Sequence, residues 1–163
     1  MGNDEDEGNS FLERLGRLKQ HHSAGMRARH KPILLLYAMA RLKHDGVERI
    51  SYREACGQVA PLLKRYGPPG TRARVSDPFS RLEGDGIWAL VVRDRDALFA
   101  PGGNARPGAL ERQNAEAGFD DSTLTLLRRK PALIDAAARV LLDANFSATD
   151  HDRVLRDVGL QLA

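Results

Sequence analysis

One stretch decides the fold of this chain: Arg74-Val75-Ser76-Asp77-Pro78-Phe79-Ser80-Arg81-Leu82-Glu83-Gly84-Asp85-Gly86-Ile87-Trp88. It predicts a loop, a short helix, a tight turn and the start of a strand. Asp77 supplies an acceptor side chain for a helix cap, and Pro78 has the fixed φ angle that suits a first helical position. Gly84 and Gly86 end that helix and turn the chain. The apolar run 87–92 then predicts a strand.

Upstream of this stretch, the apolar residues of 32–45 extend most of the way around a helix, which predicts the central helix of the core. Residues 47–50 can form a short strand. Ser51 and Glu54 have the spacing of a capping box and predict a helix that extends to about residue 66. Pro61 lies inside that helix and predicts a kink or a split.

The remaining pattern adds helices at both ends of the chain. We expect a helix at 10–20, a return strand at 97–99, and helices at about 108–116, 120–129, 131–145 and 149–159. The predicted fold is therefore α+β and mostly helical, with a winged-helix-like core, a small antiparallel sheet and extra C-terminal helices. Residues 1–8 are acidic and predict a disordered tail, so 9–163 would form one domain.

Composition favours a binding protein that works in the cytoplasm. The net charge is +3, and 20 arginines stand against 5 lysines, which suits contact with phosphate groups. A GC-rich genome would also give this arginine excess. Cys56 is the single cysteine and predicts a buried apolar residue. No apolar run is long enough for a membrane span, and no basic signal peptide begins the chain.

No motif for catalysis or for a bound cofactor is present. The five histidines and one cysteine lack metal-ligand spacing, and neither a nucleophile motif nor a phosphate loop with its lysine occurs. We therefore expect a protein that is not an enzyme and that needs no metal or cofactor.

Two basic clusters predict a surface that contacts phosphate. Arg27, Arg29, His30 and Lys31 precede the core helix, whose first amide groups can bind an anion. Arg72, Arg74 and Arg81 belong to the loop and the short helix described above. The alternative is that these are solvated loop charges. Arg72, Arg74, Arg106 and Asn114 are also candidates for base contacts, because arginine can bind guanine and asparagine can bind adenine.

Four segments, in this order, resemble the sulfur-binding domain of McrA-type restriction endonucleases. Arg29–Ala38 is similar to that family's His-Lys-Pro-Leu-Leu-Leu-Leu pattern, and Asp77–Leu82 to Tyr-Pro-Phe-Trp-Arg-Leu. Asp85–Trp88 is similar to Asp-Gly-Leu-Trp, and Asn114–Phe119 to Gly-Ala-Arg-Gly-Gly-Phe. The chain departs from these patterns at Asp77, Ser80 and Glu116, where the family has Tyr, Trp and Arg.

The resemblance implies a domain that binds double-stranded phosphorothioate DNA, in which sulfur replaces one non-bridging phosphate oxygen. It implies a sulfur pocket formed by Asp77, Pro78, Phe79, Arg81, Ala117 and Gly118. The DNA-binding residues would be Arg27, Arg29, His30, Lys31, Arg72, Arg74, Ser80, Arg106 and Asn114. A separate nuclease or effector would be a partner, and no membrane would be involved.

Two alternatives to this function remain open at this point. The first is a winged-helix regulator that binds unmodified DNA. The second is a protein-interaction module whose basic surface binds an acidic partner.

Overall fold

The computed structural model describes residues 3–20, 22–23, 26–67, 74–99, 101, 103 and 105–163. Its helices are α1 (Asn3–Gly16), α2 (His30–Asp45), α3 (Tyr52–Gln58), α4 (Ala60–Tyr66), α5 (Ser76–Arg81), α6 (Pro107–Arg112), α7 (Asp121–Arg129), α8 (Ala132–Asn145) and α9 (His151–Val158). Its strands are β1 (His22–Ser23), β2 (Met26–Arg27), β3 (Ile50–Ser51), β4 (Trp88–Val91) and β5 (Glu116–Phe119). Two short 3-10 turns, Leu82–Asp85 and Ala148–Asp150, follow α5 and precede α9.

Helix α2 forms the centre of the core, as the sequence predicts. Ile33, Leu34, Leu35 and Leu36 are fully buried in consecutive positions, which requires packing on every side of the helix. Its neighbours include α5, α8 and α9. Gly46 ends the helix with φ at 69°, a left-handed conformation that favours glycine. Helix α2 is thereby fixed against several elements at once.

The three-stranded antiparallel sheet has the order β3–β5–β4. Trp88 pairs with Phe119, and Ile50 pairs with Ala117, so β5 lies in the middle. The elements α2, β3, α3 with α4, α5, β4 and β5 therefore follow each other in a winged-helix order. The predicted return strand at 97–99 is wrong: Phe99 makes an isolated bridge with Ala105, and the true partner of β4 comes from residues 116–119.

The predicted helix 51–66 begins with its cap and splits near its proline. The Ser51 hydroxyl accepts a hydrogen bond from the Glu54 amide at 3.0 Å, which confirms Ser51 as the cap. The Glu54 carboxylate accepts instead from Tyr37 and Arg41, so the reciprocal half of the capping box is not formed. The helix breaks at Val59, and Pro61 lies in the first turn of α4. The predicted cap at Asp77 is wrong, because α5 already begins at Ser76, so Asp77 lies within its first turn.

The N-terminal segment is helical from Asn3, which corrects the expected disorder of residues 3–8. Glu7 pairs with Arg129 of α7 at 2.7 Å. Gly8 is buried, and a Cβ there would lie 3.3 Å from Leu133 of α8. These contacts attach α1 to the C-terminal helices, since α1 packs against both α7 and α8. Residues 1–2 lie outside the described part of the chain.

Cys56 is exposed on α3, so its predicted burial is wrong. The apolar positions of α3 that enter the core are Tyr52 and Ala55. Among the described residues, no helix combines the length and the apolar character that a membrane span needs.

Candidate nucleic-acid interface

An open pocket of about 150 Å³ lies where the start of α2, the helix α5 and the loop after α1 meet. We call it the α2–α5 pocket. Its lining residues are Lys19, Gln20, Ala28, His30, Lys31, Asp77, Pro78 and Arg81. The two basic and proline-containing segments that the sequence singles out, 29–32 and 77–81, therefore meet at one place.

A buried carboxylate connects three of the elements around the α2–α5 pocket. Asp85, whose side chain is 3% exposed, accepts a hydrogen bond from Lys31 Nζ at 2.6 Å. It also accepts one from the Lys19 amide at 2.8 Å. A carboxylate this buried needs such partners, because removing it from water is costly. Asp85 thus fixes Lys31 of α2 and the loop after α1 against the turn that follows α5.

Pro78 and Arg81 place an apolar surface beside a cation. Pro78 is largely buried, yet it lines the α2–α5 pocket, and Arg81 is exposed one helical turn later. The next residue, Phe79, faces the core, where it packs edge-on against Tyr52 with ring centroids 5.3 Å apart. The Phe79 carbonyl accepts a hydrogen bond from the Trp88 indole at 3.0 Å. The core thus holds α5 in the orientation that places Pro78 at the wall of the pocket.

His30 is partly buried at the first residue of α2. Burial lowers the pKa of its imidazole below 6.5, and the nearby Asp77 carboxylate opposes that shift. At neutral pH the ring is therefore uncharged and can donate or accept one hydrogen bond at each nitrogen, according to its tautomer.

The pocket is also lined by residues that no sequence motif predicts to lie there, namely Lys19, Gln20 and Ala28. Gln20 Nε2 donates to the Ala28 carbonyl at 2.6 Å and to Asn145 Oδ1 at 2.8 Å, which holds the loop after α1 beside α2. The available signal was the polar run that begins at Lys19, directly after the apolar positions of the first helix. Nothing in that run specifies that it folds back on α2.

Arg29 has an internal structural role. Its Nε donates to the Asn145 carbonyl at 3.0 Å and its Nη1 to the Tyr66 carbonyl at 3.2 Å. Its guanidinium also lies over the Phe146 ring, 4.9 Å from the centroid. These contacts join the ends of α4 and α8 to the start of α2. Direct contact between Arg29 and DNA stays a prediction.

Four residues expected at the interface lie in the interior. Phe79 and Ala117 are fully buried, and Ala117 and Gly118 belong to the central strand β5. A Cβ on Gly118 would collide with the Glu48 carbonyl oxygen. Ser80 is 5% exposed and donates its hydroxyl to the Ser76 carbonyl at 2.8 Å. Phe79, Ala117 and Gly118 therefore support the sheet and core rather than line the α2–α5 pocket, and Ser80 bonds within its own helix.

Three further predicted DNA-binding residues, Arg74, Arg106 and Asn114, are not among the residues that line the α2–α5 pocket. Arg74, Arg106 and Asn114 are exposed, and Asn114 has φ at 50°. Arg74 lines a separate cavity of about 450 Å³ beside Cys56. Arg72 lies outside the described residues, and so does the side chain of Arg27 in β2.

A family model for the ScoMcrA-like DNA sulfur-binding domain matches residues 8–163. The chain belongs to this family. The match covers the α2–α5 pocket, the sheet and the C-terminal helices, so the predicted resemblance is confirmed over nearly the whole chain. A DNA-binding domain, rather than a catalytic one, is what this family describes.

Solved structures with the same fold include two sulfur-binding domains in complex with phosphorothioated DNA. That of SprMcrA is 25% identical with a TM-score of 0.75, covering 96% of this chain and 96% of its own. That of ScoMcrA is 26% identical with a TM-score of 0.77, covering 92% of this chain and 95% of its own. The α+β fold prediction is thereby confirmed.

A larger relative shows what such a domain can be joined to. The Type IV phosphorothioation-dependent restriction endonuclease ScoMcrA is 25% identical over 91% of this chain, with a TM-score of 0.75. The match covers 32% of that longer chain. A search among curated proteins finds no match to this chain.

Proposed function

We propose that this chain binds duplex DNA at a phosphorothioate and recognises the sulfur atom in the α2–α5 pocket, without catalysing a reaction. The observation that carries the proposal is the meeting of Pro78 with His30, Lys31 and Arg81 in one open pocket. Membership of the sulfur-binding family supports it, as do the relatives in complex with phosphorothioated DNA.

Affinity comes from charge in this proposal. A phosphorothioate keeps the negative charge of the phosphate, so Arg81 and Lys19 attract both forms of the backbone, while the charge of Lys31 is balanced by Asp85. Arg27 and Arg29 are proposed to add to this field at the start of α2. Such contacts position the duplex but do not distinguish sulfur from oxygen.

Discrimination comes from the apolar part of the pocket. Sulfur is larger and more weakly hydrated than oxygen, so contact with the Pro78 ring and the stem of Arg81 costs it little. An oxygen in the same place loses water without gaining a hydrogen bond. By analogy with one methylene group in an apolar site, we expect a preference of about 1–3 kcal/mol.

Base preference is assigned to side chains outside the α2–α5 pocket. Arg74, Arg106 and Asn114 are exposed, which leaves their polar groups accessible to base edges or phosphates. Arg72 is proposed for the same role.

Titration of one duplex with and without a single phosphorothioate, at matched salt, tests this function. We expect the modified duplex to bind about 5-fold to 150-fold more tightly, which is the stated free energy as a ratio of dissociation constants. Equal affinities would overturn the proposal. Equal affinities would instead favour an ordinary winged-helix protein that binds unmodified DNA. The strand order β3–β5–β4 supports that alternative. Absence of salt-dependent DNA binding would instead favour a protein-interaction module.

A nuclease or other effector is a further proposed partner. It rests on the full-length ScoMcrA endonuclease, in which the matching domain accounts for about a third of the chain. A binding domain of this kind directs its effector to particular DNA sites, whether the two are parts of one chain or subunits of a complex.

A further inference from the structure

A basic groove extends away from the α2–α5 pocket along α1. The next cavity, of about 270 Å³, shares Lys19 with that pocket and is lined further by Glu13, Arg14 and Arg17. A third cavity, of about 510 Å³, shares Ser10 and Arg14 with the second and ends at Arg129. Shared lining residues make the three cavities neighbours along α1, and we call this series of cavities the groove.

The spacing of residues on α1 places its polar side chains along this groove. Ser10 and Arg14 are four residues apart on α1 and share one helical face. Arg17 follows in the turn that ends the helix, where its amide donates to the Arg14 carbonyl at 3.2 Å. All three are exposed. Arg14 Nη1 donates to the Gly86 carbonyl at 2.8 Å, which attaches this face to the turn behind α5 and leaves further N–H groups for a ligand.

The charge balance of the middle stretch is positive. Asp85 is neutralised by Lys31, and Glu7 is paired with Arg129. What remains between them is three cations, Arg14, Arg17 and Lys19, with the exposed carboxylate of Glu13. Among the contacts of the described residues, the Arg17 side chain makes no hydrogen bond or ion pair, so its charge does not serve the fold.

We infer that this groove binds the DNA backbone on one side of the modified phosphate. The inference rests on the proposed function, because the α2–α5 pocket fixes where the modified phosphate lies. Arg14, Arg17 and Lys19 line one cavity beside that pocket, so they can contact phosphates of the same backbone without regard to base sequence.

The variant Arg17→Glu tests the groove, with Arg156→Glu as its matched control. Arg156 is an exposed arginine of α9 that lines none of the cavities described above, and its substitution changes the net charge equally. On a duplex that extends well beyond a central phosphorothioate, Arg17→Glu should bind about 5-fold to 10-fold more weakly than wild type. The loss should be equal with and without sulfur, and Arg156→Glu should stay within about twofold.

Two shortened duplexes, each trimmed close to the phosphorothioate on one side, give the direction of the groove. Trimming one flank should remove the difference between wild type and Arg17→Glu, and trimming the other should leave it. Equal affinity of wild type and Arg17→Glu on the long duplex would overturn the inference. So would equal losses in Arg17→Glu and Arg156→Glu, or an Arg17→Glu loss that neither trimming removes.

The failure of the proposed function would look different. If wild type shows no sulfur preference while Arg17→Glu still weakens binding, the groove holds the backbone and sulfur recognition is overturned. If wild type prefers sulfur and Arg17→Glu binds like wild type, sulfur recognition stands and the groove is overturned.

Discussion

The segments that carry the family resemblance differ in where they lie: some line an open pocket and another is buried in the sheet. The start of α2 and the helix α5 meet around the open α2–α5 pocket. Strand β5 is instead the middle strand of the sheet, where Ala117 is fully buried. A residue can thus belong to a family motif for either of two reasons. It contacts the ligand, or a neighbouring strand leaves no room for a larger side chain.

The contact made by each segment shows which requirement applies. At Gly118 the limiting neighbour is a backbone carbonyl, that of Glu48, which cannot move without displacing β3. At Pro78 the neighbour on one side is open space that a ligand can enter. Changes in β5 should therefore affect the free energy of unfolding, and changes at the pocket should affect binding.

The largest effect is expected for Gly118→Ala. A methyl group there collides with the Glu48 carbonyl oxygen, so β5 must separate from its neighbours. We expect the free energy of unfolding to fall by about 3 kcal/mol or more, measured by urea denaturation. Gly57→Ala is the control, because nothing lies within 4 Å of a Cβ at that exposed helical position. Equal stabilities of the two variants would contradict this account of β5.

A smaller contrast is expected between Arg29→Ala and Arg81→Ala. Arg29 donates to two carbonyls and lies over the Phe146 ring, so its loss should lower the free energy of unfolding by about 2 kcal/mol. Arg81 is exposed, and its loss should change stability by less than about 0.5 kcal/mol. Arg81→Ala should instead weaken binding to the modified and the unmodified duplex alike. It should also reduce the slope of the logarithm of the binding constant against the logarithm of the salt concentration by about one. A stable Arg29→Ala protein would show that these contacts contribute little.

The sequence predicts those parts of the fold that local chemistry determines. Ser51 with Glu54, Asp120 with Thr123, and the left-handed Gly46 and Gly159 define helix ends within a few residues. Strand β5 was missed because it is four residues long and its partners are distant in sequence. A local pattern carries no information on such pairing.

The site divides in the same way. The sequence places His30, Lys31, Pro78 and Arg81 at one surface, and the structure brings them together. It could not give the role of Asp85, since a carboxylate after a helix is ordinary until Lys31 and the Lys19 amide are placed against it. Nor could it separate Pro78 from Phe79, which are adjacent in sequence but face the pocket and the core respectively.

Pro78→Ala isolates the apolar contribution of the α2–α5 pocket. Removing the ring should reduce the ratio of affinities for modified and unmodified duplex by about threefold to tenfold, with little change for unmodified DNA. Pro131→Ala, an exposed proline at the start of α8, serves as control and should leave the ratio unchanged. A uniform loss on both duplexes would show that Pro78 maintains the structure and does not select sulfur.

The smallest effect concerns the protonation of His30. Burial lowers the pKa of the folded imidazole, while the unfolded chain keeps a value near 6.5. Just below that pH the unfolded state binds more protons, so the free energy of unfolding falls as pH decreases through this window, and above it His30 has no effect. Urea denaturation between about pH 5 and 7.5 measures how the free energy of unfolding depends on pH. This dependence should be flatter in His30→Asn than in wild type. Asp77→Asn removes the negative charge that opposes the lowering of the His30 pKa. The free energy of unfolding should therefore fall more steeply at the acidic end of this pH range. If both variants keep the wild-type pH dependence of the free energy of unfolding, His30 does not contribute to that dependence.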